Sequence, residues 1–240
     1  MDFRTQPIPN FVNDAFKKRL VPIEESGEDL VSIRNLRDNQ VVSDSMYYKQ
    51  GITGALEQCY IRKGVASLLK NAAALLPMNY KLIIWDGWRP FLVQKHLYDT
   101  YYKQLAAANL GYTTEELKEL TSKYVSKPSI DKKQPAPHIT GGSVDLAILD
   151  ENDMLLNFGT EFDDFSEKAK TRFFEEKEEQ GVTLAKQDKE ILQNRRLLYH
   201  VMTSVGFTNY PEEWWHFDYG NQWWAQLKGK PTAIYGLVEQ

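Results

Sequence analysis

Gly142-Ser143-Val144-Asp145-Leu146-Ala147-Ile148-Leu149 (142–149) alternates Val144, Leu146 and Ile148 with Ser143, Asp145 and Ala147. Successive side chains of a strand point to opposite faces, so the segment predicts a strand with one apolar face and an aspartate on the other. Immediately upstream, residues 126–137 carry Pro128, Pro135 and Pro137 among several lysines and read as a loop that leads into His138. The glycines at 141 and 142 let the chain fold back tightly and bring Asp145 beside His138. The separation of seven residues between them is not diagnostic of a metal site by itself.

Around this segment the chain alternates short strands with helices. Lys81 to Trp85 is a short apolar strand ending in Asp86-Gly87, and Arg89-Pro90 then begins a helix that runs to about Asn109. Pro90 sits near the first turn, where its missing N–H costs nothing, and Arg89 is left at a strand-to-helix corner. Gly111 caps this helix, and Thr113-Thr114-Glu115-Glu116 starts a shorter one with capping-box character. Between Ala55 and Leu76, Ile61, Val65, Leu68, Leu69, Ala72 and Leu76 recur at helical spacing, which predicts a long helix stopped by Pro77.

Residues 28–35 alternate enough for a strand, Phe165 to Gln180 is a charged helix, and Asp188 to Gly206 is a helix with Ile191, Leu198, Met202 and Val205 inward. A turn around Pro211 and a strand complete Phe207 to Tyr219. Helices set between a few strands and hairpin-like returns imply an α+β fold, with several helices against a small, mostly antiparallel sheet.

The 240 residues, 42% hydrophobic and 12% aromatic, can bury a full core, so one domain over 1–240 is expected, with an N-terminal extension of about 1–27 and a tail of about 229–240. Lys plus Arg number 29 against 33 Asp plus Glu, a net charge of -4, which argues against a nucleic-acid partner because phosphate binding needs concentrated basic charge. Met1 to Pro22 has no apolar run of signal-peptide length and no segment approaches a membrane span of roughly 20 apolar residues. A cytoplasmic location and no membrane partner are expected. Trp223 and Trp224 leave homo-oligomerisation open.

Cys59 is the only cysteine, which excludes an intrachain disulfide and a thiolate zinc cage and makes it a packing residue. Of the four histidines, His96 and His200 lie inside helices with no acidic residue at a metal-like offset and are read as structural. His216 differs, because it belongs to Glu213-Trp214-Trp215-His216-Phe217. In a strand starting at Trp214, Trp214, His216 and Asp218 share one face, while Glu213 at the preceding turn can point toward His216 without obeying the alternation.

Two histidines and one carboxylate satisfy a hydrolytic zinc, which keeps three protein ligands and an open position for water. His138, Asp145 and His216 are the candidate ligands for one Zn2+ per chain. Glu213 then stands beside the metal, placed to take a proton from the water, and Arg89 offers a permanent charge and a fork of donors to a developing oxyanion. A salt bridge from Arg89 to Asp86, and a capping role for Glu213, are the structural alternatives.

Trp-Asp-Gly-Trp-Arg-Pro (85–90), His138 with Gly141, Ser143 and Asp145, Phe-Gly-Thr-Glu-Phe-Asp (158–163), Asn-Arg-Arg-Leu-Leu (194–198), Gly206-Phe207 and Glu-Trp-Trp-His-Phe (213–217) follow one another in that order. The series resembles the zinc-dependent D-alanyl-D-alanine dipeptidases of the VanX type from roughly Tyr47 to Tyr219. The resemblance implies one zinc dipeptidase domain, the same three metal ligands, Glu213 as general base and acid, Arg89 on the tetrahedral intermediate, and a small closed pocket for a free dipeptide. It further implies that Asp163 holds the substrate ammonium, since a carboxylate pairs with a free amine. The family usually has a serine where this chain has Ala136, and its upstream tyrosine has an approximate counterpart in Tyr47 or Tyr48.

Hydrolysis of D-Ala-D-Ala to two D-alanines is the expected function. A carboxypeptidase acting on longer cell-wall peptides and a catalytically silent ligand-binding member of the fold are the alternatives. The same ligand types also describe the facial triad of iron(II) oxygenases, although those sites place the carboxylate closer to the first histidine on a barrel of strands.

Overall fold

A computed structural model describes residues 2–11 and 21–238. Of the extension expected at about 1–27, residues 1 and 12–20 lie outside the described residues, as do residues 239–240 of the expected tail. The described elements are, in order, β1 (Leu30–Ser32), β2 (Val41–Ser43), α1 (Met46–Lys49), β3 (Tyr60–Arg62), α2 (Lys63–Ala73), β4 (Lys81–Asp86), α3 (Phe91–Ala108), α4 (Thr114–Tyr124), β5 (Ser143–Leu149), α5 (Phe173–Glu179), α6 (Lys186–Ser204), β6 (Thr208–Asn209), β7 (His216–Asp218) and α7 (Gln222–Leu227).

The main sheet has five strands in the order β2-β4-β5-β7-β6, antiparallel except for the parallel pair β2 and β4. β1 and β3 form a separate antiparallel pair. The fold is therefore the α+β arrangement with a small, mostly antiparallel sheet that the sequence predicts.

β5 is the central strand because both of its faces are used. Val144, Leu146 and Ile148 are fully buried in the main core with Leu82 and Ile84 of β4, Val65 and Leu69 of α2, and Leu198, Val201 and Met202 of α6. Burying each such aliphatic side chain contributes about 1.5–3 kcal/mol. The opposite parity places Ser143 and Asp145, both buried, next to β7. α4 begins at the expected place: Thr113 accepts from the Glu116 N–H while the Glu116 carboxylate accepts from the Thr113 N–H, a full capping box.

Three elements differ from expectation. The helix foreseen from Ala55 starts at Lys63, because Tyr60–Arg62 pairs with Leu30–Ser32 as β3. Ile61 and Val65 are both fully buried, so one apolar series serves a strand and then a helix. Within Phe165 to Gln180 only Phe173–Glu179 is α-helical, after a single 3-10 turn at Glu167–Ala169. There the carbonyls of Lys168 and Lys170 accept from the Arg195 guanidinium, and the Thr171 N–H is donated to Pro211, so this backbone is bonded sideways. The last strand begins at His216 and not at Trp214, since Glu213 closes a turn onto the Tyr210 carbonyl and Trp214 donates to Ala169.

Candidate metal centre and pocket

Three adjacent parts of the sheet converge on one end of β5. Asp145 of β5 and His216 of β7 are direct antiparallel partners, and Asp86 at the end of β4 flanks Asp145 on the other side. His138 opens a 3-10 turn that ends at Gly141, whose φ of 69° is left-handed and suits glycine. This turn returns the chain to β5 within reach of Asp145. Gly142 is the tightest point: a Cβ there would lie 2.3 Å from the Tyr219 carbonyl oxygen.

His138, Asp145 and His216 are all buried, and one donor atom from each lies within 4.8 Å of the others. His138 Nε2 is 3.1 Å from His216 Nδ1 and 3.4 Å from Asp145 Oδ2, and His216 Nδ1 is 3.0 Å from Asp145 Oδ1. Each imidazole is oriented from behind: His138 Nδ1 by the Gly87 carbonyl at 2.8 Å, His216 Nε2 by Asp218 Oδ1 at 3.2 Å. Lone pairs that converge while the other ring nitrogens are engaged fit a divalent cation.

Electrostatics agree with that geometry. Burial raises a carboxyl, yet at Asp145 the neighbouring His138 and His216 outweigh it and hold the group well below the ordinary range. Burial lowers an imidazole, yet the carboxylates of Asp218 and Asp145 push His216 well above its usual value. Metal ligands must be deprotonated to bind, so a divalent cation competes with a proton for this cluster.

Glu213 follows the turn at Pro211, buried, with Oε2 3.9 Å from His216 Nδ1. Burial raises its carboxyl well above the usual range, while His216 works in the opposite sense. Arg89, also buried, spends its donors on four groups: Nε on Asp86 at 2.7 Å, one terminal nitrogen on Gln94 at 2.9 Å, the other on Tyr47 at 3.3 Å and Asp145 at 3.1 Å. The salt bridge to Asp86 and the approach to the metal cluster thus coexist.

Asp163 reaches the same cavity from the loop before α5, in a left-handed conformation with φ of 59°. Its carboxyl accepts from Tyr47 at 3.4 Å, and burial pushes it up to about 7. The cavity these groups share has a volume of about 430 Å3, with Tyr101, Tyr124 and Phe165 along its wall. Those three rings form one cluster, with centroids 4.6 to 6.0 Å apart.

All six residues singled out in the sequence, His138, Asp145, His216, Glu213, Arg89 and Asp163, border this one cavity. Sequence reasoning missed Gln94 and the full part played by Asp86 and Asp218, and left Tyr47 and Tyr48 as alternatives, of which Tyr47 is the one that borders the cavity. The signal for Asp218 was present in the strand alternation, which puts it on the face of His216. Ala136 is buried and borders a neighbouring groove. His96 is exposed on α3 at the cavity's border, and His200 stacks on Phe3 and is bonded to the Gln6 carbonyl. Cys59 is buried in the core, where burial pushes its thiol up to about 12.

Comparison with known proteins adds an independent observation. The family described as D-ala-D-ala dipeptidase (Peptidase M15) matches residues 30–229. A D-alanyl-D-alanine dipeptidase of Synechocystis sp. is 29% identical over 236 residues, covering 91% of this chain and 95% of that protein. Proteins of the same description from Enterococcus faecalis and Escherichia coli are 31% identical over 165 residues and 30% over 162. The first alignment covers 65% of this chain and 70% of its relative, the second 67% of each.

Proposed function

Since this chain belongs to the D-ala-D-ala dipeptidase family of M15 metallopeptidases, we propose that it hydrolyses the free D-alanyl-D-alanine dipeptide to two D-alanines. In this reading one Zn2+ is held by His138, Asp145 and His216. The observation that carries it is the convergence of their three donor atoms beside the Glu213 carboxylate. Ligand atoms about 2.1 Å from a tetrahedral zinc lie about 3.4 Å apart; here the two imidazole nitrogens are 3.1 Å apart, and the Asp145 carboxylate meets them with different oxygens, Oδ1 3.0 Å from His216 and Oδ2 3.4 Å from His138. When bound, zinc supplies Lewis acidity, polarising a carbonyl and lowering the pKa of a water to about 7.

The chain's own residues do the rest. Glu213 accepts the proton of the attacking water and returns it to the leaving amine. Its burial makes the carboxylate basic enough for this, since an ordinary glutamate near 4.3 would be a weak acceptor. Arg89, fixed by Asp86 and Gln94, faces the negative charge that grows on the carbonyl oxygen. Asp163, with Tyr47 against it, pairs with the substrate ammonium, which returns the buried carboxyl to its anionic form.

A cavity of about 430 Å3 suits a small ligand. Single-domain organisation over 1–240 and a cytoplasmic location belong to the same proposal; no described helix is long and apolar enough to cross a membrane. The adjoining groove of about 580 Å3, which shares Ser126, Pro137 and Trp223 with the cavity, keeps longer wall peptides as the second reading.

Amine release from D-Ala-D-Ala, L-Ala-L-Ala, the mixed dipeptides and a wall pentapeptide, measured with stoichiometric zinc and with chelator, tests both readings. Zinc-dependent cleavage of D-Ala-D-Ala is expected. Cleavage of the pentapeptide alone transfers the function to the second reading, and cleavage of nothing with zinc bound overturns both.

A further inference from the structure

Behind His216 lies a buried carboxylate that takes no part in the proposed reaction. Asp218 is two residues further along β7, on the same strand face, and is 4% exposed. One of its oxygens, Oδ1, accepts from Ser143 Oγ at 2.6 Å and Asn221 Nδ2 at 2.6 Å, and lies 3.2 Å from His216 Nε2. The donors are themselves fixed. Ser143 is the strand partner of Asp218 across β5 and β7, and Asn221 caps α7 by accepting from the Trp224 N–H at 3.0 Å while also donating to Ser143 Oγ at 3.1 Å.

A carboxylate can only accept, so the His216 nitrogen facing it carries the hydrogen. The other nitrogen, Nδ1, is then left with its lone pair toward His138 Nε2 and Asp145 Oδ1. His138 meets the same requirement with the Gly87 carbonyl at 2.8 Å, and the Asp86 carboxylate, 3.3 Å from the same nitrogen, is shared with Arg89. A charged acceptor behind a ligating histidine fixes its orientation and raises its basicity, and for His216 that acceptor is Asp218. A carboxylate kept out of water, with three donors on one oxygen, is costly unless so compensated.

We propose that Asp218 is a positioning residue: it locks His216 with Nδ1 toward the metal, and so strengthens the hold of the centre on a divalent cation. Ser143 and Asn221 hold the carboxylate in place. This rests on the metal-centre reading above, and the experiment separates the two.

Zinc affinity is measured by competition with a chromogenic chelator for the parent, Asp218→Ala, Asp218→Asn and His216→Ala, alongside thermal melting of the metal-free forms. Asp218→Ala is expected to weaken zinc binding about 10- to 100-fold. Asp218→Asn keeps the shape and an accepting oxygen without the charge, and is expected to fall between parent and alanine variant. If the alanine variant does not fold, the asparagine variant decides, with a loss of several-fold expected. Parent-like zinc affinity in the folded Asp218 variants, with or without a lowered melting temperature, overturns the proposal. Parent-like affinity in His216→Ala instead overturns the metal centre itself.

Discussion

At Asp163 the burial that would help a neutral group works against an anion, and this gives the residue a pH signature. Its carboxyl is pushed up to about 7 from an ordinary value of 3.8. A folded-state pKa raised above the unfolded one contributes stability below the unfolded value and loses it as pH rises through the folded one. The metal-free protein should lose stability between about pH 4 and pH 7 on this account. Asp163→Asn removes the dependence, and should melt above the parent at pH 8 by on the order of a few kcal/mol while differing little at pH 4. Equal melting differences at the two pH values would contradict the assignment. In the enzyme the same variant should raise KM for a free dipeptide much more than it lowers kcat, because the ammonium loses its partner.

Glu213 carries a separate expectation. Glu213→Ala should retain zinc while kcat falls by roughly 10²- to 10⁴-fold, the range of general acid–base catalysis, whereas His216→Ala should lose the metal. Ordinary turnover in the zinc-loaded Glu213 variant would remove it from the role of base. His216 was legible in the sequence because few residue types can ligate zinc, and Glu213 because it stands at the turn just before that strand. The choice between Tyr47 and Tyr48 was not, since a phenol on the four-residue α1 leaves no periodic trace, and the contacts of Tyr47 with Arg89 and Asp163 decide it.

Among the elements, the loop from Asn157 to Lys170 is the one the site depends on and the one that periodicity described least well. It is fastened by α6: Asn194 donates to the Asn157 carbonyl, and the Arg195 guanidinium donates to the carbonyls of Phe158, Lys168 and Lys170. Burial lowers Arg195 to about 9, with the Asp164 charge acting against it. The sequence predicts a helix from Phe165 to Gln180, which overlaps the end of this loop, but the carbonyls of Lys168 and Lys170 claimed by a distant arginine cannot also serve a helix. Arg195→Met should therefore release the loop that carries Asp163. The expected result is a destabilisation of about 3–5 kcal/mol, from three carbonyls left unsatisfied, and a higher KM with zinc affinity unchanged. A fall in zinc affinity equal to the rise in KM would mean that Arg195 supports the whole site and not this loop.

Across the whole molecule, the segment from Ile23 to Glu28 and the C-terminal segment meet beside the turn that joins His138 to Asp145. Ile23 bridges to Ala233 in parallel, and Glu24 and Ser26 donate to the carbonyls of Ala233 and Ile234. Tyr235 is 1% exposed, donates to Glu28 at 3.0 Å, and lies beneath the Arg62 guanidinium. Its ring fills the space that glycine leaves open at 142 and 220, where a Cβ would come within 3.1 and 2.3 Å of it. Gly142 lies between His138 and Asp145, so the tail supports the turn that joins two of the candidate ligands. Nothing in the spacing of residues 229–240 announces this, because the contact depends on two distant glycines and not on a pattern within the segment. Tyr235→Ala should cost about 3–5 kcal/mol, the range for emptying a large buried aromatic site. At roughly 2–4 °C per kcal/mol for a chain of this size, that is a fall of about 10 °C in Tm. Tyr235→Phe, which keeps the ring and loses only the bond to Glu28, should recover most of the loss. A parent-like melt for Tyr235→Ala would show that the C-terminal segment lies on the domain without supporting it, whereas the expected fall, accompanied by weaker zinc retention, ties that segment to the metal centre.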